Sequence, residues 1–227
     1  MKRDYLSGTP YTMIQKEGMY HFSSDTELLG RFLTVRHKDT VLDIGCSSGA
    51  LLLYAAVHKP ASLCGIDLFD EVLDTARTNL EINGVEAELY KTRVQDFSGR
   101  QFSLIICNPP YFNTEDPSLI SANPFIAASR HEEYLRPGEL FESAARLLSD
   151  SGKFMMVHRV SRIPELFETA AEYGMRCVRM KTAYRSEGRC AVSAAMEFRK
   201  TKTGVLVIEP PAYMDRRETF DERGRKL

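Results

Sequence analysis

The 5 cysteines include no C-x-x-C pair. Cys46, Cys64, Cys107, Cys177 and Cys190 stand far apart, so neither a zinc nor a disulfide framework is expected, and they read as reduced core thiols. No cluster of metal ligands is visible, so no metal is expected. Neither sign of charge is in excess: 30 Lys and Arg face 31 Asp and Glu, a formal net charge of −1. That balance excludes a generic polyanion binder and confines any nucleic-acid contact to a local basic patch. No apolar run follows Lys2-Arg3 as a signal peptide requires, and stretches such as residues 51–57 fall far short of the ~20 apolar residues that cross a bilayer. The expected location is the cytoplasm, with no membrane partner. Internal repeats, low-complexity tracts and Gly/Ser/Pro linkers are missing too, and nothing sets an oligomeric state.

What is present suits one globular domain. Hydrophobic residues make up 43% and charged residues 27% of 227 positions, enough to bury a sizeable core. Periodicity alternates between strand and helix. Residues 40–44 are short, β-branched and apolar, and they end in Gly45-Cys46-Ser47-Ser48-Gly49 before a helix over 50–58. Residues 62–66 predict a second strand, 69–82 a helix closed by Asn83-Gly84, and 85–90 a third strand. The continuous apolar run 102–107 predicts a strand buried on both faces, stopped by Asn108-Pro109-Pro110-Tyr111. Helices at 139–148 and 164–173 then alternate with strands at 153–158, 176–182 and 191–199. Repeated β-α units of this kind predict an open α/β sheet with helices on both faces. Ahead of it, Ser24-Asp25-Thr26-Glu27 has capping-box spacing and predicts a helix to about Arg36. Residues 1–38 thus read as an amino-terminal extension packed on a core domain of residues 39–227.

Ligands of open α/β sheets bind beyond the carboxyl ends of the strands, where the strand order reverses. Asp43 at the first such end precedes Gly45, Ser47 and Gly49, small positions that allow close backbone approach ahead of a helix. Neither G-x-G-x-x-G nor a P-loop lysine is present, and a carboxylate there suits a ligand carrying positive charge. Asp67, 24 positions after Asp43, has the spacing of an acid that holds ribose hydroxyls, with Leu68 beside it. Asp96 can accept from an adenine amino group and Phe97 can cover its face. Taken singly, Asp43 is also a turn former, Asp67 a strand-end cap and Asp96 a solvated acid; three at successive strand ends favour a site.

Asn108-Pro109-Pro110-Tyr111 is the sharpest signal. The lone pair of an adenine amino group is delocalised into the ring, and acceptors on its hydrogens draw it out. The Asn108 side-chain oxygen and the Pro109 carbonyl are such acceptors, the two prolines stiffen the turn, and Tyr111 can stack on a flipped-out base.

The order Val41-Leu42-Asp43-Ile44-Gly45, Gly65-Ile66-Asp67, Asp96-Phe97 and Asn108-Pro109-Pro110-Tyr111-Phe112 resembles a class I S-adenosylmethionine-dependent methyltransferase that methylates amino groups. Phe22-Ser23-Ser24-Asp25-Thr26-Glu27-Leu28-Leu29, Ser129-Arg130-His131-Glu132, Val157-His158-Arg159 and Glu209-Pro210-Pro211 narrow the resemblance. They are similar to the bacterial valine-tRNA adenine-N6 methyltransferases over nearly the whole chain. The resemblance implies a seven-stranded Rossmann-like sheet, mostly parallel with an antiparallel last strand. It also implies S-adenosylmethionine as donor, tRNA as partner, and methylation of the adenine beside the anticodon, position 37. One departure stands out: Ser47 occupies the middle glycine position of the family's Asp-x-Gly-x-Gly-x-Gly.

Outside the motifs, Arg130, Arg159, Arg162, Arg185 and Arg189 are the candidates for RNA contact, with Lys2-Arg3 a possible addition. Arg159 and Arg162 either hold phosphates or cap the sheet edge. His131 touches substrate or is a solvated helix-start residue. Residues 184–189 read as a basic hairpin tip, and the mixed-charge tail 216–227 as a solvated end or an RNA contact. Two other functions fit the motif less fully. One is methylation of a protein glutamine amide or a DNA adenine, and the other is a non-catalytic RNA-binding module retaining the fold.

Overall fold

The computed structural model describes residues 2–15, 23–111 and 135–214. The chain opens with an antiparallel hairpin, β1 (Lys2–Tyr5) and β2 (Thr12–Gln15), followed by α1 (Ser24–Phe32). The core then runs β3 (Thr40–Ile44), α2 (Ala50–Ala56), β4 (Ser62–Asp67), α3 (Asp70–Ile82), β5 (Glu88–Lys91) and β6 (Phe102–Cys107). It continues with α4 (Pro137–Leu147), β7 (Leu148–Arg159), α5 (Ile163–Glu172), β8 (Met175–Tyr184) and β9 (Ala191–Lys200). Two short strands, β10 (Val207–Ile208) and β11 (Ala212–Tyr213), close it.

The main sheet has the order β10-β8-β9-β7-β6-β3-β4-β5, with β11 also on β8. β3 to β7 are parallel and β9 runs antiparallel to both β7 and β8. The seven expected strands are there, and β10 and β11 extend the β8 edge in parallel. Alternate residues of the central strands feed two apolar layers. Val41, Leu104, Ile106, Met155 and Val157 meet side chains of α1, α2 and α3, while Leu42, Ile44, Ile105, Phe154 and Met156 meet those of α4 and α5.

The amino-terminal elements join the first layer through Leu6, Met13, Leu28, Leu29 and Phe32. Two asparagines of the α3 end clasp the hairpin as a strand backbone would. Asn79 accepts from Ile14 N–H at 2.7 Å and donates to the Ile14 carbonyl at 3.1 Å. Asn83 does the same for Thr12 at 3.0 and 2.7 Å. Gly30 lets α1 close on α2, because a Cβ there would stand 2.3 Å from the Tyr54 ring.

Several boundaries differ from the sequence expectation. The cap of α1 is Ser23, with extended backbone, and its capping-box partner is Thr26, so the pair expected at Ser24 and Glu27 is shifted by one residue. Glu27 instead pairs with Arg31 one turn on, at 2.9 Å. The helix ends at Phe32 rather than near Arg36, because Leu33 turns extended and the Asp39 carboxylate takes the Arg36 N–H at 2.8 Å. β5 starts at Glu88 because Val85 N–H returns to the Leu80 carbonyl at the end of α3. Cys46, Cys64 and Cys107 are buried and Cys177 half-buried, but Cys190 is exposed beside the β8–β9 hairpin tip and is no core thiol.

Candidate functional site

The carboxyl ends of β3, β4, β5, β6 and β7 open on one side of the sheet, and the strand order reverses between β3 and β6. The loop after β3 takes left-handed backbone at three positions, Gly45 (φ 68°), Ser47 (φ 48°) and Gly49 (φ 84°). Gly45 and Cys46 donate their N–H groups to the Ile66 carbonyl at 2.9 and 3.0 Å, pinning the loop to β4. Asn79 adds a bond to the Ser48 carbonyl at 3.0 Å, tying the same loop to the clasped hairpin. Since Ser47 sits where an L side chain is strained, Ser47→Gly is expected to stabilise the protein by about 1 kcal/mol. A higher urea midpoint at unchanged slope would show it; an unchanged midpoint would mean that the loop relieves the strain by other means.

Asp67 braces this loop, accepting from Ser47 N–H at 2.9 Å and Leu68 N–H at 2.7 Å. Burial raises the Asp67 pKa, and the backbone N–H groups of Ser47, Leu68 and Phe69 oppose the rise. A carboxylate offers about four acceptor positions, so three such N–H groups leave room for a ribose hydroxyl. Asp43 differs. It is 1% exposed, neither oxygen has a hydrogen-bond partner among the described residues, and burial, followed by the Asp67 charge, pushes its pKa well above the carboxylate range. A buried carboxylate without donors is unfavourable unless a cation completes it. A Cβ at Gly45 would meet nothing within 4 Å among the described residues, so the backbone there faces open space in that part of the structure. An orphaned buried acid beside an open glycine cradle fits S-adenosylmethionine, whose sulfonium and ammonium groups are cationic.

Past β5, Asp96 is exposed in a turn closed by bonds from the Asp96 and Phe97 N–H groups to the Arg93 carbonyl, both at 3.1 Å. The Phe97 ring packs on Tyr90 and Phe102, with centroids 5.7 and 6.2 Å apart.

At the end of β6, Asn108 Nδ2 donates to Thr26 Oγ1 at 3.1 Å, and its Oδ1 accepts from the Tyr111 hydroxyl. Tyr111 is held from two further sides. The His158 ring meets it edge-on at 5.0 Å, and the Arg159 guanidinium lies 5.0 Å from its centroid. His158 Nδ1 accepts from Arg159 N–H at 2.9 Å, while burial, then the Arg162 charge, pushes the His158 pKa down to about 4. The imidazole beside the turn is therefore neutral at pH 7. Arg159 also reaches Ser193 Oγ at 3.2 Å and the buried Asp25 at 3.6 Å, and the other Asp25 oxygen has no hydrogen-bond partner among the described residues.

Thr26, Asp25 and His158 were not singled out as site residues from sequence. All three lie inside segments that carry the family resemblance, and Asp25 and Thr26 lie also within the expected capping box. Arg162, offered as an RNA contact, pairs with Glu165 through two bonds of 2.5 and 2.8 Å and reaches the Tyr111 carbonyl at 3.5 Å. Arg185 and Arg189 are exposed at the β8–β9 hairpin tip. Arg130 and His131, like Phe112 and the tail 216–227, lie outside the described residues.

A sheet that reverses beside β3 and then turns one strand antiparallel leaves a crevice at its carboxyl edge. Here those strand ends carry acids and an amide in place of a phosphate loop, on the sheet order of the class I methyltransferase fold. Sequence comparison agrees: the family described as "Methyltransferase small domain" matches residues 11–138, and the chain belongs to it. The chain is 28% identical to the tRNA1(Val) (adenine(37)-N6)-methyltransferase of Dyadobacter fermentans over 96% of this chain and 92% of that protein. It is 30% identical to the protein of the same name from Photobacterium profundum, over 70% of this chain and 68% of that one. These relatives bear out the resemblance carried by the motifs. Among solved structures, the 16S rRNA N2 G1207 methyltransferase of T. thermophilus in complex with AdoMet and guanosine shares the fold. Its TM-score is 0.58 at 20% identity, covering 84% of this chain and 47% of that one.

Proposed function

We propose that the protein transfers a methyl group from S-adenosylmethionine to the exocyclic N6 of an adenine in tRNA, with position 37 of valine tRNA as the target. The observation that carries this reading is the Asn108-Pro109-Pro110-Tyr111 turn at the switch point, its amide oxygen facing the Tyr111 hydroxyl. The names of the relatives supply the tRNA. Asp43, Gly45, Ser47, Gly49, Asp67, Leu68, Asp96, Phe97 and Asn108 form the donor's surroundings. Asp43 neutralises its positive charge and Asp67 holds ribose hydroxyls. When bound, the donor supplies an electrophilic methyl group on sulfur.

The chain's own residues prepare the amine. Asn108 Oδ1 and the Pro109 carbonyl accept its two hydrogens, which localises the nitrogen lone pair as positive charge develops. Tyr111 stacks on the base and gives up its own bond to Asn108 as the amine takes that place. Neutral His158 adds no positive charge next to the developing cation. Arg159 and Asp25 keep the Tyr111 ring in position. The RNA itself is met by exposed cations, Arg185 and Arg189 among the described residues, together with Arg130 and His131. An anticodon loop presents bases that are already partly unstacked, so little energy is needed to bring one onto Tyr111. Residues 1–38 form an extension packed on the 39–227 domain, and the cytoplasm, where tRNA is found, is its location.

Four acceptors test the reading, each incubated with labelled donor: total tRNA, a bare anticodon stem-loop, duplex DNA and a glutamine-containing peptide. N6-methyladenosine in digested tRNA is the expected product, by mass spectrometry of nucleosides. Transfer to peptide or DNA but not to tRNA would replace the acceptor while keeping the chemistry. Binding of RNA without transfer to any of the four would mark a non-catalytic module.

A further inference from the structure

An asparagine amide serves an amine substrate only if its oxygen, not its NH2, faces that substrate, and the two ends of the amide are nearly equal in shape. Which end faces the substrate depends on the partner that holds the other end; Thr26 and Tyr111, the two partners among the described residues, are hydroxyls that can each donate or accept, and the structure has the NH2 on Thr26. Asn108 Nδ2 donates to Thr26 Oγ1 at 3.1 Å, a contact between residues 82 positions apart in the chain. That bond turns Oδ1 to the opposite side, toward Tyr111. Thr26 is 4% exposed and is itself fixed by the α1 capping box. Ser23 N–H lies 3.4 Å from Thr26 Oγ1, and Thr26 N–H lies 3.5 Å from Ser23 Oγ.

We infer that Thr26 is a positioning residue, which holds the Asn108 amide in the one orientation that accepts from the substrate amine. This rests on the proposed transfer to a planar amine. The first turn of α1 thereby does two things with one hydroxyl: it caps a helix and it orients the acceptor at the end of β6.

Thr26→Val keeps the size and branching of the side chain and removes the acceptor. The expected result is a kcat lower by roughly 10- to 100-fold, with KM for tRNA and Kd for S-adenosylmethionine within about twofold of wild type. Thr26→Ser, which retains the hydroxyl, restores kcat. Ser23→Ala is the control, since it disrupts the same capping box from the other side and leaves Thr26 Oγ1 on Asn108. It is expected to lower the melting temperature and leave kcat at the wild-type value. Equal losses of kcat in Ser23→Ala and Thr26→Val would reduce Thr26 to a helix cap and overturn the inference, as would full kcat in Thr26→Val.

If the wild-type protein methylates the glutamine peptide and not tRNA, the substrate reading falls, and the same variants are measured on the peptide, whose amide also needs the Asn108 oxygen. If it methylates neither, the proposed function falls by itself. The contact is then read by NMR, using the Asn108 side-chain NH2 cross-peaks, assigned by their loss in Asn108→Ala. They should move in Thr26→Val and hold still in Ser23→Ala; peaks that do not move in Thr26→Val overturn the inference.

Discussion

Replacing Asn108 with alanine is expected to lower the rate of methyl transfer by about 10²–10³-fold, the usual loss when one preorganised partner of developing charge is removed. The effect belongs to the rate and not to cofactor binding, because the Asn108 oxygen faces Tyr111, on the acceptor side of the turn. Affinity for S-adenosylmethionine should stay within about twofold of wild type, since uniform binding is not what the oxygen supplies. Single-turnover transfer and calorimetric titration separate the two quantities. Tyr111→Ala should follow the same pattern, as it removes the stacking surface and leaves the Asp43 and Asp67 loop intact. Near-normal turnover in Asn108→Ala would dismiss the amine-activation mechanism altogether.

The second large effect is expected at Asp43. Its two oxygens are buried without donors among the described residues, so a cation is needed to stabilise the charge. Asp43→Asn keeps the shape and removes the charge, and loss of one partner of a desolvated charge pair costs about 2–5 kcal/mol. Affinity for S-adenosylmethionine should therefore fall roughly 30- to 4,000-fold. At pH above the raised pKa of Asp43, the ligand-free protein should become more stable in the same variant, because an unpaired buried charge is gone.

A pH dependence follows from the raised Asp43 pKa, caused by burial first and the Asp67 charge second. A carboxyl whose folded pKa lies above its unfolded value stabilises the fold while protonated. That contribution is complete below the unfolded value of about 4 and is lost as pH rises through the folded one. The ligand-free protein should thus lose stability with rising pH across this window, and Asp43→Asn should flatten the dependence. Binding of a cation favours the ionised acid, so affinity should rise with pH over the same window and binding should release a proton. Calorimetry in buffers of different ionisation enthalpy measures that proton. Wild-type affinity in Asp43→Asn, or binding without proton release inside the window, would assign the cation to another group.

Much of the site was legible because it lies where short-range patterns end. Residues 40–44 and 102–107 are strands in the structure with the boundaries expected from their apolar runs, since a central parallel strand is buried on both faces and leaves no doubt of period. The groups at such ends, Asp43, Asp67 and Asn108, come to one side of the sheet simply because parallel strands point the same way. Left-handed backbone at Gly45 and Gly49 was foreshadowed by the residue type. Ser47 shows the same conformation without a glycine to announce it.

What periodicity could not decide were contacts between residues far apart in the chain. The sequence marks Asn83 only as the close of α3 and gives Asn79 no role, yet the hairpin of residues 2–15 uses both as backbone partners. A capping box shifted by one residue is a small change locally, yet it selects Thr26, not Glu27, as the partner of the helix start and places its hydroxyl on Asn108. Arg159 and Arg162 were cations of open purpose in the sequence. Packing of α1 and β9 against β7 puts Arg159 over Tyr111 and beside Asp25, and Glu165 one helical turn away takes Arg162. The sequence by itself thus determined the alternation of elements, the acids at the strand ends and the stiff amide-bearing turn, all consequences of local period and backbone restriction. Which side chains orient that amide and which cations are taken up within the fold were decided only by the tertiary structure, because hydrogen bonds and ion pairs depend on distances that chain separation does not encode.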